Sequence, residues 1–250
     1  MEQRRNKMVE LINQKGNVSF AQLKSAFPNV SEMTLRTDLK ALDEANRIVR
    51  IHGGAKSVQV VVGTDDFLNR RAVRNISEKK EIAAKALKLI RPDSVIFLDS
   101  GSTTTALAGV FPDQSNLIYT TGLSCVTELV NLEHPTVEIP GGKLNRYSMS
   151  VYGHFAIKGL EGINFDQAFM GVTCYSKNTG FTCGVREEAF LKQTVMRQSG
   201  QNIILMDSSK VEKKNPYSIC GLADVDIVIS DGHLPEEFLE ECRKYDVEVL

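Results

Sequence analysis

Residues 97–110 read FLDSGSTTTALAGV. An apolar run, Val95 to Leu98, ends in Asp99-Ser100-Gly101-Ser102-Thr103-Thr104 and then takes on a helical pattern. Strand, small hydroxyl-rich loop, helix is the local order of a phosphate cradle. Loop amides and a helix N-terminus offer donors and partial positive charge to an anion. An enzyme would transform the molecule carrying the phosphate, whereas a sensor would register its presence. The rest of the chain decides between them.

Outward from this stretch, helix and strand alternate from about residue 75. Strand-like runs are expected at 94–99, 116–121, 136–139, 167–172, 202–207 and 225–230, with helical patterns at 103–110, 124–131 and 186–199. Such alternation predicts an α/β domain around a largely parallel sheet covered on both faces. Ligands in these sheets sit at the carboxyl ends of strands. The polar and glycine clusters fall at those ends: Asp99–Thr104, Thr120-Thr121-Gly122, Gly141-Gly142-Lys143, Gly171 and Asp207-Ser208-Ser209-Lys210.

The first 55 residues follow a different grammar. Met8, Leu11 and Ile12, then Phe20, Leu23 and Phe27, then Leu35, Leu39 and Leu42 recur at helical spacing. Ser19 followed by Gln22 is a capping box for a second helix. Pro28-Asn29 stops that helix, and Ser31 suits the N-cap of a third. Two helices joined by a tight turn make a helix-turn-helix. On the third, Met33, Thr37 and Lys40 oppose the leucine side, with Arg36 on the flank. Arg36 is the candidate for a base edge, guanine being the favoured partner. Ser31, Thr34 and Lys40 suit phosphates. Asp38, near the core edge, is expected to pair with Arg5 or Arg47. The strand-like alternation through Arg47–His52 and the turn at Gly53-Gly54 predict a short β-wing presenting Arg50 and His52. Three patterned helices, a capped turn and a basic wing together point to double-stranded DNA.

Composition agrees. Residues 1–74 hold 13 Lys and Arg against 8 Asp and Glu, and the remainder 17 against 23, so a basic module precedes an acidic body. No apolar run approaches the roughly 18 residues of a membrane span, and the start lacks the apolar core of a secretory signal. Five scattered cysteines without a C-x-x-C pair read as free thiols of a reducing cytoplasm. Neither a metal site nor a cofactor is expected. The chain divides, on this reading, into 1–56, a linker at 57–74, and 75–250.

The stretch VSFAQLKSAFPNVSEMTLRTDLKAL and the later RIVRIHGGA resemble the N-terminal winged helix of the DeoR family of bacterial transcription regulators. Leu35-Arg36-Thr37-Asp38-Leu39 matches its recognition helix, although the family usually carries a second arginine where Thr37 stands. The turn Phe27–Ser31 is also about one residue longer than usual. FLDSGSTT, IPGGKL, AFMGV, REEAFLKQTVM and MDSSK resemble the family's effector domain. The resemblance implies a winged helix-turn-helix followed by a domain like the sugar-phosphate isomerase and CoA-transferase fold. It further implies an operator and a phosphorylated sugar effector; because one winged helix covers only a short half-site, a homo-oligomer, dimer or tetramer, is expected. Thr121-Gly122 stands where that domain usually has an asparagine after its second strand.

Under the sensor reading, Ser100, Gly101, Ser102, Thr103 and Thr104 hold the phosphate, with Thr121, Gly122, Gly141 and Gly142 nearby. Lys143 and Lys210 add charge, and Asp99, Glu187 and Glu188 accept sugar hydroxyls. The alternative is an aldose–ketose isomerase, for which Asp99, Asp207, Glu187 and Lys210 could supply acid and base. The attached DNA module favours a repressor of a carbohydrate operon over an enzyme.

Overall fold

The computed structural model describes residues 2–45, 47–57 and 68–250. The chain forms two compact units, Met1–Thr64 and Asp65–Leu250.

The first unit holds α1 (Glu2–Lys15), β1 (Asn17–Ser19), α2 (Phe20–Ala26), α3 (Glu32–Glu44), β2 (Val49–Ile51) and β3 (Gly54–Lys56). The three strands pair antiparallel in the order β1-β3-β2. The capping box forms as expected: Ser19 Oγ accepts from Gln22 N–H, and the Gln22 side chain accepts from Ser19 N–H. Ser31 caps α3 through Thr34 N–H. Between the two helices, Lys24 Nζ donates to the carbonyls of Pro28 (3.2 Å) and Val30 (2.6 Å), closing the turn. Met8, Ile12, Val18, Leu23, Leu35, Leu39, Leu42, Ile48 and Ala55 make the core. Gly54 lets β3 lie against β1, since a Cβ there would stand 2.2 Å from the Val18 carbonyl oxygen.

The second unit opens with α4 (Leu68–Ala72) and α5 (Ile76–Leu87). Of the stretch assigned to the linker, 58–67 lies outside the described residues, while α4 belongs to this unit and buries Leu68. There follow β4 (Val95–Leu98), α6 (Ser102–Ala108), β5 (Leu117–Thr120), α7 (Leu123–Leu129), β6 (Thr136–Glu138), β7 (Lys143–Asn145), β8 (Ser150–Tyr152), α8 (His154–Leu160) and β9 (Gln167–Gly171). The chain completes with β10 (Cys174–Ser176), β11 (Gly180–Cys183), α9 (Arg186–Arg197), β12 (Asn202–Leu205), β13 (Tyr217–Cys220), β14 (Ile227–Ile229), α10 (Glu236–Lys244) and β15 (Glu248–Val249). The six expected strand runs become β4, β5, β6, β9, β12 and β14. With β15 they form one sheet in the order β15-β14-β12-β9-β4-β5-β6, parallel throughout.

Alternation along the strands explains why both faces are covered. Ile96 and Leu98 pack with Ile82 of α5, Leu107 of α6 and Leu129 of α7. Phe97 points the other way, into a cluster with Leu160 of α8, Val195 of α9 and Phe238 of α10. The antiparallel sheet β10-β11-β13 and the hairpin β7-β8 lie outside the expected pattern, because short strands with mixed burial carry little periodicity. From β4 the chain winds to β5 and β6, then returns to the other side of β4 through β9. The direction of winding therefore reverses between β4 and β9, the place where open α/β sheets leave a crevice.

Candidate functional sites: a recognition helix and a switch-point cleft

On α3 the predicted side chains divide by role. Leu35, Leu39 and Leu42 are buried, while Arg36, Thr37 and Lys40 are exposed. The Arg36 guanidinium lies 4.3 Å from the centre of the Phe20 ring, so the aromatic of α2 holds the arginine's direction. Thr34 and Ser31 share a hydroxyl contact of 2.8 Å, Thr37 Oγ1 donates back to the Met33 carbonyl, and Lys40 faces Glu44 one turn on. Arg50 and His52 are exposed on β2 and the following turn, and Asp43 accepts from Arg50 N–H. Asp38 pairs with Arg5 as expected and with Arg4 in addition, at 2.9 and 2.6 Å. Arg47 does not join it; its guanidinium donates to Asn6 instead. Burial raises the Asp38 pKa, but the two arginines outweigh it and hold the carboxyl below its ordinary range.

At the switch point of the second unit, a small cleft is lined by Asp99, Ser100, Thr121, Ser150, Val151, Glu188, Leu191 and Lys192. Asp99 leaves the end of β4 and reaches the end of β9, where Oδ2 accepts from Gly171 N–H at 2.9 Å. It does not cap α6, whose N-cap is Gly101, and it is 1% exposed in the wall of the cleft. Its charge is met by Lys192 of α9, whose ammonium binds Asp99 Oδ2 and the Gly171 carbonyl, the latter at 2.6 Å. Burial disfavours that ammonium, yet the adjoining carboxylate more than compensates and lifts the lysine pKa above its usual value. Glu188, one turn earlier, accepts from Asn145 Nδ2 (3.0 Å) and Ser148 Oγ (3.1 Å). Glu187 is exposed.

The hydroxyl-rich loop is only partly as expected. Ser100 lines the cleft, and Ser102 is half-buried at the start of α6. Gly101 precedes that helix at φ +150°, a conformation that favours glycine, and supplies no side-chain cap to its first amides. Thr103 and Thr104 are buried, and Thr104 Oγ1 donates to the Gly101 carbonyl, so that hydroxyl braces the loop from inside. Thr121 lines the cleft, and Gly122 allows close packing: a Cβ there would lie 3.1 Å from Ser100 Cα. Gly141, Gly142 and Lys143 are placed beside and on the β7-β8 hairpin and do not line the cleft. Gly142 is needed for close approach, its Cβ position lying 2.7 Å from the Tyr152 carbonyl oxygen.

Lys210 lies away from the lining too. Its ammonium donates to the Val172 carbonyl (2.8 Å) beside Asp207, which accepts from Asn75 Nδ2 (3.1 Å) and Ser209 N–H (3.2 Å). Burial pushes Lys210 down, Asp207 opposing. The buried Lys79 is lowered to about 8, chiefly by burial and then by Lys210. The basic residue of the cleft is thus Lys192, which the sequence reading missed. Its signal was an ammonium three residues from Ala189 and from Val195, on the buried side of α9.

Residues 4–61 match the DeoR-like helix-turn-helix domain, and residues 74–232 match the DeoR C terminal sensor domain. The chain is 31% identical to the uncharacterized HTH-type transcriptional regulator YulB of Bacillus subtilis, covering 99% of this chain and 95% of that protein. It is 30% identical, over 99% and 93%, to a protein of Escherichia coli O157:H7 named "Putative aga operon transcriptional repressor". It is also 28% identical to the L-fucose operon activator of Haemophilus influenzae, covering 96% of each. Among solved structures it is similar to a ribose 5-phosphate isomerase A from Methanocaldococcus jannaschii, over 54% of each chain, at 19% identity and a TM-score of 0.40. No helix among the described residues is long and apolar enough to cross a membrane. With a winged helix-turn-helix in its first unit and a switch-point cleft in its second, this chain belongs to the DeoR family of helix-turn-helix transcription regulators.

Proposed function

We propose that this protein is a cytoplasmic repressor of a carbohydrate-use operon, released from its operator by a phosphorylated sugar, and that it is not an enzyme. The observation that carries this reading is the presence, in one chain, of a recognition helix and a switch-point cleft with a hydroxyl-rich loop.

On DNA, Arg36 reads a base edge with its guanidinium steered by Phe20, and Ser31, Thr34 and Lys40 take phosphates. Thr37 faces the groove, and Arg50 and His52 follow the backbone from the wing. One such module spans a short half-site, so the working species is a homo-oligomer on a symmetric operator.

In the second unit, the Ser100-Gly101-Ser102 loop receives the phosphate, and Thr121, Ser150 and Glu188 meet sugar hydroxyls. Isomerase chemistry needs a carboxylate base within reach of the ring-opened sugar. Asp99 is only 1% exposed and is committed to Lys192 and to the Gly171 amide. Such an arrangement favours binding over proton transfer. Binding shifts the DNA equilibrium only through a difference in sugar affinity between the two states.

The test is fluorescence anisotropy on DNA from upstream of the protein's own gene, titrated with sugar phosphates at fixed salt, because phosphate contacts make the affinity steeply salt-dependent. One sugar phosphate should selectively weaken binding. Arg36→Ala should abolish operator binding and leave sugar binding intact. Tighter operator binding with the sugar would make the protein an activator or co-repressed regulator. A response to none would leave a constitutive binder.

A further inference from the structure

One large apolar side chain of the first unit takes no part in its core. Met33, in the first turn of α3, is 77% exposed, more than any other large apolar side chain among the described residues. The core closes without it, drawing Leu35, Leu39 and Leu42 from the opposite side of the same helix. Four residues on, and therefore its neighbour on the helix surface, Thr37 is exposed but gives its one hydroxyl proton to the Met33 carbonyl at 2.9 Å. That threonine has no proton left for a base oxygen, and its Cγ2 methyl remains to pack. Met33 and Thr37 thus make a small apolar spot on the outer face of α3. Beside it stands Arg36, its guanidinium 4.3 Å from the Phe20 ring centre, and Lys40 follows one turn on.

In the major groove, base pairs are told apart by their hydrogen-bonding edges and by one apolar group, the C5-methyl of thymine. An arginine answers the first, and an exposed apolar pair answers the second. Recognition helices meet base edges with their N-terminal residues, and Met33, Arg36 and Thr37 all lie in the first half of α3. We propose that Met33 and Thr37 determine operator specificity by packing on the C5-methyl of a thymine, on either strand, next to the guanine held by Arg36. This rests on the placement of α3 in the major groove proposed above. Each half-site then carries thymine and guanine within one base-pair step. A pyrimidine without the methyl, in the thymine's place, leaves the thioether and the threonine methyl against water.

Anisotropy of the full-length protein on DNA from upstream of its own gene, at fixed salt, tests this with two small changes in the DNA. Replacing single guanines by 7-deazaguanine removes the N7 acceptor and locates the Arg36 contact, as the effect that Arg36→Ala abolishes. Replacing single thymines by deoxyuridine removes the C5-methyl alone. At one thymine per half-site, within one step of that guanine, deoxyuridine should weaken wild-type binding about fourfold, the factor one buried methyl carries. Met33→Ala and Thr37→Ser should each discriminate less than wild type, and the double variant should not discriminate while still responding to 7-deazaguanine. Thr37→Val, which keeps a methyl and loses the hydroxyl, should discriminate like wild type. A wild type indifferent to deoxyuridine near that guanine, or a double variant that discriminates fully, overturns the proposal and leaves the Arg36 contact standing. If the double variant binds no DNA, the single variants decide, because full discrimination in both overturns the proposal. Lost discrimination in Thr37→Val assigns the contact to the hydroxyl and overturns the methyl reading. No 7-deazaguanine effect that depends on Arg36 removes the docking of α3 and this proposal with it.

Discussion

Asp38 in the first unit and Asp99 in the second are carboxylates buried to 2% and 1% exposure, and each is met by cations. Asp38 is gripped by two arginines from α1 whose side chains remain 29% and 27% exposed. It fastens one helix to another, and water still reaches the positive charges. Asp99 is met by a lysine that is itself buried and that also binds a strand-end carbonyl. It fastens three elements, β4, β9 and α9, around a cleft. The same chemistry makes a staple where the cation stays wet and the frame of a cleft where it does not.

The sharpest way to break this comparison is Lys192→Met. Removing one partner of a buried pair leaves an uncompensated charge, which costs about 3–5 kcal/mol. All six tyrosines lie at or beyond Tyr119 and the chain has no tryptophan, so tyrosine fluorescence in urea reports the second unit alone. Stability within 1 kcal/mol of wild type would show that Asp99 has other support. The double variant Asp99→Asn with Lys192→Met should recover much of the loss.

Asp38→Asn should cost less, about 1–3 kcal/mol, and should be confined to the first unit, visible as faster hydrogen exchange along α3. Its pH dependence has a definite sign. A carboxyl held below its unfolded value near 3.9 stabilises the fold above that pH and loses this contribution as pH falls through the folded value. The wild-type first unit should therefore weaken below about pH 4 more steeply than Asp38→Asn. Equal slopes would remove Asp38 from the account. The smallest effect belongs to Ser19→Ala, which takes one side-chain acceptor from the capping box and should cost about 1 kcal/mol, read by operator affinity and α2 exchange. A loss as large as that of Asp38→Asn would mean that the turn depends on its cap more than on its core.

Much of this could be read from the chain because much of it is local. Ser19 and Gln22 are three residues apart, Ser31 and Thr34 likewise, and their bonds follow from the start of any helix. The inner strands β4, β9, β12 and β14 announced themselves by apolar runs buried on both sides. Asp38 was legible as an arginine partner, though not that Arg4 would displace Arg47. Lys192 was not singled out, because its partner lies 93 positions away and its charge invites a surface reading. The spacing that betrays it, midway between Ala189 and Val195, was there to be weighed. Thr103 and Thr104 show a different limit: both are buried. Their hydroxyls suited a ligand, yet the loop's own carbonyl at Gly101 claims one of them.

The separation between Asp99 and its partners also sets an order of assembly. In the first unit the Asp38 pairs close loops of 33 and 34 residues. In the second, Asp99 waits 72 positions for the Gly171 amide and 93 for the Lys192 ammonium. Distant closures carry more chain entropy and slow folding. During synthesis the N-terminal unit emerges and closes its staple first, while β4 stands without one of its two neighbours until β9 is made. The helix-turn-helix module closes before the sensor module.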